Sequence, residues 1–140
     1  MAERSAGRVA SVRRLTAVWT PCHELGYDPA ALATLDELLA LDFRVGTIVS
    51  AEVQRGTRTP TFVLRVDFGG LGVRTSSAEI ADLYEPGELV GLQVIGCTNL
   101  PAKRVAGVQS EVLVLCADNG RGERILVIPE RPLPDGARVS

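Results

Sequence analysis

The residues best suited to chemistry lie in the stretch NLPAKRVAGVQSEVLVL, Asn99 to Leu115, between two runs that are typical of buried strands. Lys103 and Arg104 put two adjacent positive charges there, and an arginine can hold a phosphate through two parallel hydrogen bonds. Binding residues are often found in surface loops, and a core does not require this one. The sequence therefore predicts a phosphate-binding loop, in which Gly107 permits a turn with positive φ.

Catalytic residue types are present, but their arrangement does not favour an enzyme. Ser76 or Ser77 could form a hydrolase triad with His23, but this single histidine lies in a predicted linker and no GxSxG turn is present. The glycines at 69–72 lack the spacing of a phosphate-binding loop at a helix start. We therefore expect a non-catalytic protein with no cofactor.

The three cysteines, Cys22, Cys97 and Cys116, are an odd number without CxxC spacing. Cys97 and Cys116 lie inside apolar runs, so buried free thiols are expected rather than disulfides or metal ligands. This cysteine usage predicts a reducing compartment, and the cytoplasm is the default.

Charge and hydropathy limit the classes of partner. The chain has 15 Lys and Arg against 17 Asp and Glu, a net charge of -2 over 140 residues. This excludes a generally basic nucleic-acid coat protein, so any RNA contact must come from a local patch. No apolar run approaches the ~20 residues that span a bilayer, so no membrane insertion is expected.

The sequence predicts one folded domain at residues 31–140, preceded by a flexible or non-native extension at residues 1–30. The first 18 residues hold four arginines against one acid and have no sustained apolar face. Their composition weakly resembles a transit peptide or an RNA-binding arm, but a simple extension is favoured.

Periodicity predicts the elements that must position the loop. Asp28-Pro29 or Thr34 could cap a short helix that ends near Leu41 and packs as a lid, with a leucine stripe at 32, 35, 38 and 39. The first strand should place Val45, Thr47, Val49, Ala51 and Val53 on one side, with a bulge or sharp coil at Gly46. The second strand should bury Phe62, Leu64, Val66 and Phe68, and GGLG should turn it into a third.

Further along the chain, Ser76 and Glu79 have the spacing of a capping box, which predicts a short helix that Pro86-Gly87 stops. Fourth and fifth strands follow, and RILVIP forms either a sixth strand or the return of a closing hairpin. The predicted fold is all-β dominated: a five-stranded OB-fold barrel with a short helix between strands 3 and 4 and a flanking N-terminal helix.

Three segments, LDFRVGTIVSAE, RVDFGGLGVRTSSAEI and NLPAKRVAGVQSEVLVL, occur in the order found in the tRNA-binding-domain family. Between about Leu32 and Ser140 the chain resembles this family, most closely its free-standing CsaA-like branch. The resemblance implies an OB-fold homodimer that binds tRNA by shape. Related domains are fused to methionyl- and phenylalanyl-tRNA synthetases, and CsaA-like proteins are described as export chaperones that bind preproteins.

The resemblance also implies which residues contact the ligand. The first group is Asn99, Lys103, Arg104, Ser110 and Glu111, and the second is Arg74, Ser76 and Ser77. Asn99 and Ser110 could meet 2'-hydroxyl groups. Glu111 could accept from a base amino group, orient Arg104, or brace the loop through a salt bridge. For Ser76 a helix cap is the favoured interpretation.

Two residues depart from the family pattern, because Ala102 and Gln109 stand where proline and often a basic residue are expected. They predict a loop that is less rigid and less positive. Scattered arginines at 44, 55, 58 and 65 could extend a basic face, or could simply be solvated.

Two functions therefore remain the main alternatives, with a purely structural adaptor as a third. The first is a non-catalytic tRNA binder that recognises folded tRNA by shape and backbone contacts and has CsaA-like export chaperone activity. The alternative is primarily a polypeptide-binding secretion chaperone with incidental RNA affinity, which would need an exposed apolar groove near Leu100, Pro101 and Val108.

Overall fold

The computed structural model describes residues 30–140, in which antiparallel strands form a nearly closed barrel. Two short helices are α1 (Leu35–Leu39) and α2 (Pro86–Leu89). The strands are β1 (Phe43–Val53), β2 (Phe62–Asp67), β3 (Val73–Ala78), β4 (Gln93–Cys97), β5 (Lys103–Val105), β6 (Val108–Ser110), β7 (Leu113–Val114), β8 (Cys116–Asp118), β9 (Arg124–Leu126) and β10 (Arg138–Val139). The predicted OB-fold barrel, with one helix before it and one between its third and fourth strands, is confirmed.

The barrel sheet has the order β3-β2-β1-β4-β7, and β10 adds to β1. Two hairpins, β5-β6 and β8-β9, lie outside this sheet. The second hairpin confirms one of the two predictions for RILVIP. The loop predicted within Asn99 to Leu115 instead contains the first hairpin.

The second strand supplies the centre of the core. Phe62, Leu64, Val66 and Phe68 are each at most 2% exposed, as the alternation predicts. They pack with Ile48, Ile80 and Leu89 from neighbouring elements. Because these side chains are spaced two residues apart along a strand, they point to the same side of the sheet.

The predicted single face of β1 is wrong, because the strand contains a bulge. Its pairing register with β2 shifts between Ile48 and Ser50. The extra residue divides the face, so Ile48 is fully buried while Val49 is 46% exposed. Gly46 precedes the bulge and marks a close approach, since a Cβ there would lie 2.7 Å from side-chain atoms of Phe68 and Val66.

The predicted helix cap at Ser76 is wrong. Ser76 lies in the middle of β3, opposite Leu64 of β2, and is 1% exposed. The continuous pairing of β3 with β2 overrides the local capping pattern. The helix begins later, at Pro86, after a capping box between Glu85 and Glu88. Proline, expected to stop a helix here, occupies its first turn, where its missing N–H has no partner to lose.

The flanking helix α1 begins where Thr34 caps it. The Thr34 side chain accepts from the Glu37 amide, and the Glu37 carboxylate accepts from the Thr34 amide, as in a capping box. The alternative cap at Asp28-Pro29 lies outside the described residues. No residue of α1 is buried, and Leu35, Leu38 and Leu39 are 68%, 51% and 43% exposed. The prediction that this helix packs as a lid is therefore wrong for the single chain.

Candidate nucleic-acid interface

The hairpin β5-β6 carries the two adjacent cations predicted to bind phosphate. Its strands pair Lys103 with Ser110 and Arg104 with Gln109. Ala106 and Gly107 form the turn with φ of 47° and 86°, the positive values that a type I′ hairpin turn requires. The prediction that Gly107 permits a turn with positive φ is thus confirmed.

Both cations of this hairpin are exposed, and neither has an acidic partner among residues 30–140. The Arg104 guanidinium donates to the Gly107 carbonyl at 3.2 Å, a contact within its own turn. The hairpin therefore presents two positive charges that no carboxylate of the described chain neutralises.

Ser110 and Glu111 join the hairpin to the edge of β3. The Ser110 hydroxyl oxygen accepts from the Ser77 amide at 3.1 Å, and Glu111 Oε1 accepts from the Thr75 amide at 3.3 Å. The Glu111 amide in turn donates to the Thr75 carbonyl at 2.8 Å. These bonds close the barrel along β3. Glu111 braces the segment through backbone groups, and in the described chain it contacts neither Arg104 nor any other cation.

Asn99 uses both ends of its amide to hold the connection between α1 and β1. Its Nδ2 donates to the Ala40 carbonyl at 2.7 Å, and its Oδ1 accepts from the Asp42 amide at 2.8 Å. The neighbouring Thr98 hydroxyl donates to the Asp42 carbonyl and carboxylate. This cluster lies at the end of β4.

Asp42 is the acidic centre of that cluster. Arg44 Nε donates to its carboxylate at 2.7 Å. This hydrogen bond is the largest influence on the carboxylate and lowers its pKa; burial opposes it, while a hydrogen bond from Thr98 and the positive charges of Arg44 and Arg138 lower the pKa of Asp42 further. Arg44 is thus engaged in an ion pair and also donates to the Gly136 carbonyl.

The second group of predicted residues, Arg74, Ser76 and Ser77, lies on β3, and the three side chains differ in their exposure to solvent. The Ser77 hydroxyl donates to Gln54 Oε1 at 2.6 Å, while the Ser76 side chain is in the core. Arg74 is half-buried, and its Nε donates to the Leu71 carbonyl at 3.4 Å. Of the three, Ser77 is nearest to the hairpin, through its amide bond to Ser110.

A groove of about 340 Å³ lies between the hairpin, β3 and the chain that follows. Four predicted residues line it: Ser77, Lys103, Ser110 and Glu111. The remaining four do not: Arg74, Ser76, Asn99 and Arg104. Leu100 and Pro101 contribute apolar surface to the groove as predicted, but Val108 does not. The groove thus combines a cation, hydroxyl groups and an apolar wall.

Comparison with known proteins assigns this barrel to a family. Residues 43–138 match the sequence model of the family described as "Putative tRNA binding domain". The chain belongs to this family. The match includes the hairpin, the groove and the whole barrel sheet, so the tRNA-binding domain occupies most of the described residues.

Solved structures share the fold of this tRNA-binding domain. The chaperone CsaA of Bacillus anthracis str. Ames is 43% identical with a TM-score of 0.75, covering 79% of this chain and 100% of that one. A methionyl-tRNA-synthetase-related protein of Pyrococcus horikoshii is 33% identical with a TM-score of 0.71, covering 79% and 100%. Both are similar to this chain over their entire length.

Curated relatives include methionine–tRNA ligases. The ligase of Porphyromonas gingivalis is 37% identical over 105 residues, which are 74% of this chain and 15% of the ligase. The ligase of Methanothrix thermoacetophila is 38% identical over 104 residues, again 74% and 15%. The chain therefore spans about 15% of the length of these ligases.

Several groove residues of the tRNA-binding domain were missed by the sequence analysis. Arg124 and Glu79 form an ion pair at 3.8 Å, and Cys116 lies beside them. Burial raises the pKa of the Cys116 thiol, against the opposing charge of Arg124. Cys97 is buried as predicted, and Cys116 is half-buried. No sequence pattern links these residues, because β8 and β9 are brought to the groove by tertiary folding.

Gln54 was also missed. It is buried at the end of β1, where its Nε2 donates to the Val105 carbonyl at 2.7 Å and its Oε1 accepts from Ser77. A glutamine that follows an apolar strand run, as in AEVQ, is only a weak sequence signal for a buried side chain that links neighbouring elements.

Residues 30–140 lack two features that mark other classes of protein. No group of three or more His, Cys, Asp or Glu side chains there could hold a metal ion. No helix in this part of the chain has the length and apolarity to cross a membrane.

Proposed function

We propose that the chain is a non-catalytic tRNA-binding protein that recognises folded tRNA by its shape and its sugar-phosphate backbone. The observation that carries the proposal is the pair of exposed, unneutralised cations, Lys103 and Arg104, on a hairpin held to the barrel. Such charges bind phosphate, and Arg104 can do so through two hydrogen bonds. Family membership supports tRNA as the source of the phosphates.

The groove favours a folded RNA over a single strand. Proteins that bind single strands stack bases on aromatic side chains, but no aromatic residue lines the groove among the described residues. Aromatic residues are 4% of the chain. A surface of cations and hydroxyl groups instead suits the phosphates and 2'-hydroxyls of a structured RNA.

The first prediction tests the hairpin. Replacing Lys103 and Arg104 together with Ala should weaken binding to all tRNAs by a similar factor, because phosphate contacts carry no sequence information. The slope of log affinity against log salt should fall by roughly 0.9 for each lost duplex-like contact, about 1.8 for the pair. Titrations of tRNA by fluorescence anisotropy at several salt concentrations measure both quantities.

The matched control removes two arginines elsewhere. Arg121 and Arg131 are exposed and do not line the groove, so their double Ala variant should keep the wild-type slope. The hairpin variant must first show an unchanged melting temperature. A stable hairpin variant with wild-type affinity and slope would exclude the hairpin as the RNA site.

A second function has a specific observation in its favour. Leu100 and Pro101 line the groove, and the adjoining Leu113 is 54% exposed, which is the apolar surface that a polypeptide-binding chaperone needs. Two of the similar solved structures are of CsaA chaperones. We rank the export chaperone role, with preproteins as partners, below tRNA binding.

One substitution should distinguish the two functions. Leu113→Lys should abolish binding of an unfolded preprotein while leaving tRNA affinity equal or higher, since it adds a cation to the groove that Lys103 also lines. Loss of polypeptide binding in the Lys103/Arg104 variant, with RNA affinity kept, would reverse the ranking.

We further propose a cytoplasmic homodimer. An apolar pocket of about 280 Å³ lies between α1 and the end of the chain, lined by Leu38, Leu39, Phe43, Ile95, Leu115, Val127 and Val139. Together with the exposed leucines of α1, it gives the single chain an apolar surface of the kind that marks an interface. The proposed domain bounds remain 31–140, with 1–30 as an extension.

A further inference from the structure

The turn of the β8-β9 hairpin contains an exposed asparagine that is followed by a glycine, Asn119-Gly120. A backbone nitrogen can attack the side-chain carbonyl carbon of the asparagine that precedes it, because neighbouring residues hold the two groups together, and a cyclic imide results. Glycine has no side chain to shield its nitrogen, and the φ of Gly120 is 83°, a value that glycine adopts at little cost. The dipeptide therefore permits a reaction within the chain.

The hydrogen bonds of this turn reach all three groups that take part in such an attack. The Gly120 amide donates to Asp118 Oδ1 at 2.7 Å, so a carboxylate contacts the attacking nitrogen. Asn119 Oδ1, on the carbonyl under attack, accepts from the Arg121 and Glu123 amides at 2.9 and 3.3 Å. Asn119 Nδ2, the nitrogen that would leave, donates to Glu123 Oε1 at 2.9 Å.

Two of these contacts favour the reaction chemically. The Asp118 carboxylate can accept the proton that the Gly120 nitrogen must lose. The two amides on Asn119 Oδ1 polarise the carbonyl group and stabilise the negative charge that develops on this oxygen during attack. Asparagine and aspartate also make such bonds simply to stabilise turns, so the reaction rate, rather than the bonding alone, distinguishes the two roles.

We propose that Asn119 is a modification site, where the Gly120 nitrogen displaces the side-chain amide as ammonia with Asp118 as the base. A bond forms between the Gly120 nitrogen and Asn119 Cγ, and the bond from Cγ to Nδ2 breaks. The departing nitrogen gains the proton that Gly120 loses, so the products are the cyclic imide and ammonia, and nothing is oxidised or reduced. Water then opens the imide at either of its carbonyls and leaves aspartate or isoaspartate.

The product differs from asparagine in charge. A neutral amide becomes a carboxylate, which adds one negative charge to a chain whose net charge is -2. The new charge lies on the hairpin that also carries Arg124, a cation of the groove. The reaction therefore changes the charge of an element that borders the groove.

Two other places in the chain serve as internal comparisons. The other asparagine, Asn99, precedes a leucine, and both ends of its side-chain amide are bonded to backbone groups. The sequence has one further Asn-Gly or Asp-Gly pair, Asp135-Gly136, but there the glycine nitrogen donates to the Val45 carbonyl at 2.7 Å. We therefore expect the reaction at Asn119 and not at these two places.

The first experiment locates the reaction. The purified, folded protein is kept in warm buffer at neutral pH, and samples taken over time are digested and analysed by mass spectrometry, which detects the exchange of an amide for a carboxyl group. The modified fraction should rise with time at Asn119, as aspartate and isoaspartate peptides that chromatography separates. A stable amide at Asn119, or equal rates at Asn119 and Asn99, would overturn the proposal.

The second experiment tests the role of Asp118. Asp118→Asn keeps an oxygen that can accept from the Gly120 amide but removes the base, so the rate at Asn119 should fall by about 10-fold in the folded protein. This is less than the ~10²–10⁴ that a base contributes in an enzyme, because water also reaches this exposed turn. In urea, where the turn is not held, the variant and wild type should react at equal rates. Folded wild type should also react faster than wild type in urea, and a slower folded reaction would overturn the role of the turn.

The matched control is Glu123→Gln, which removes a charge of the same sign from the same hairpin and keeps an acceptor for Asn119 Nδ2. Its rate should stay close to that of wild type. Both substitutions lie outside the barrel sheet, and unchanged melting temperatures show that each variant is folded. If both variants slow the reaction equally, or if Asp118→Asn slows it equally in urea, then Asp118 is not the base and its bond to Gly120 only stabilises the turn.

Discussion

Asn99 stabilises the connection between α1 and β1 through one side chain, since its amide bonds both Ala40 and Asp42. Both partners are backbone groups, and each hydrogen bond of this kind contributes about 0.5–1.5 kcal/mol net. An Asn that is fully used in this way has little capacity left for an RNA hydroxyl. At the scale of the residue, these hydrogen bonds favour a structural role for Asn99 over a ligand contact.

We therefore predict that Asn99→Ala lowers the free energy of unfolding by about 1–3 kcal/mol, through the loss of its two hydrogen bonds to backbone groups. The salt slope of tRNA binding should be unchanged. Urea unfolding measures the first quantity and anisotropy titration the second.

The control for Asn99 is Gln109→Ala, which removes an exposed amide from the hairpin and should change stability by less than about 0.5 kcal/mol. A stable Asn99→Ala protein with weakened RNA binding would return Asn99 to the list of ligand contacts.

The sequence identified several of the right residues but not their bonding partners. Ser110 and Glu111 bind backbone groups on β3 that lie 33 and 36 positions earlier, and the partners of Asn99 lie 57 and 59 positions earlier. Local pattern carries no information on such pairs, because they depend on which strands become neighbours. The exposed hairpin cations are different, since two adjacent charges in a polar stretch are visible from sequence alone.

At the scale of the element, the local sequence pattern predicted the structure correctly where no other pattern or strand pairing competed with it. The second strand alternates without interruption, and its four core residues were predicted individually. Thr34 was one of the two caps predicted for α1, and it caps the helix where no strand competes for that residue. Ser76 shows the opposite case: its capping spacing is real, but pairing with β2 stabilises an extended chain instead. A bulge or sharp coil in β1 was predicted at Gly46, whereas the bulge lies between Ile48 and Ser50.

The turn of the β5-β6 hairpin gives a prediction at this scale. Ala106 is the one non-glycine residue with positive φ in residues 30–140, and a left-handed conformation costs an L-residue roughly 1–2 kcal/mol. Asn tolerates it better, and Asn-Gly is the preferred pair for a type I′ turn. Ala106→Asn should therefore stabilise the protein by about 0.5–1 kcal/mol in urea unfolding.

Two further variants test whether this result depends on the backbone conformation of the turn. Ala106→Val should destabilise, since a β-branched residue fits positive φ poorly. Ala102→Asn, which introduces the same side chain outside the turn, should have little effect. Equal gains from Asn at positions 102 and 106 would contradict the explanation based on backbone conformation.

At the scale of the whole molecule, the described chain has two surfaces of different chemistry. The barrel edge that carries the β5-β6 hairpin is cationic, while α1, Ile95 and Val127 line an apolar pocket with the chain end. Arg138 links α1 to that end, as it donates to the Leu39 carbonyl at 3.3 Å. A protein that pairs through the apolar surface would present two cationic edges to one RNA.

The last prediction concerns this pairing. The chain should be a dimer at micromolar concentration, with a light-scattering mass of twice 14.9 kDa. Val127→Lys places a charge in the apolar pocket and should give a folded monomer, because an unpaired charge is costly to bury in an interface. Leu83→Lys, at an exposed leucine that does not line this pocket, should remain dimeric. The monomeric variant should also bind tRNA more weakly than the dimer, since two linked sites raise the effective concentration of each other. If the wild-type protein has the mass of a single chain, both the dimer and this coupling are excluded. Each cationic edge would then bind RNA alone.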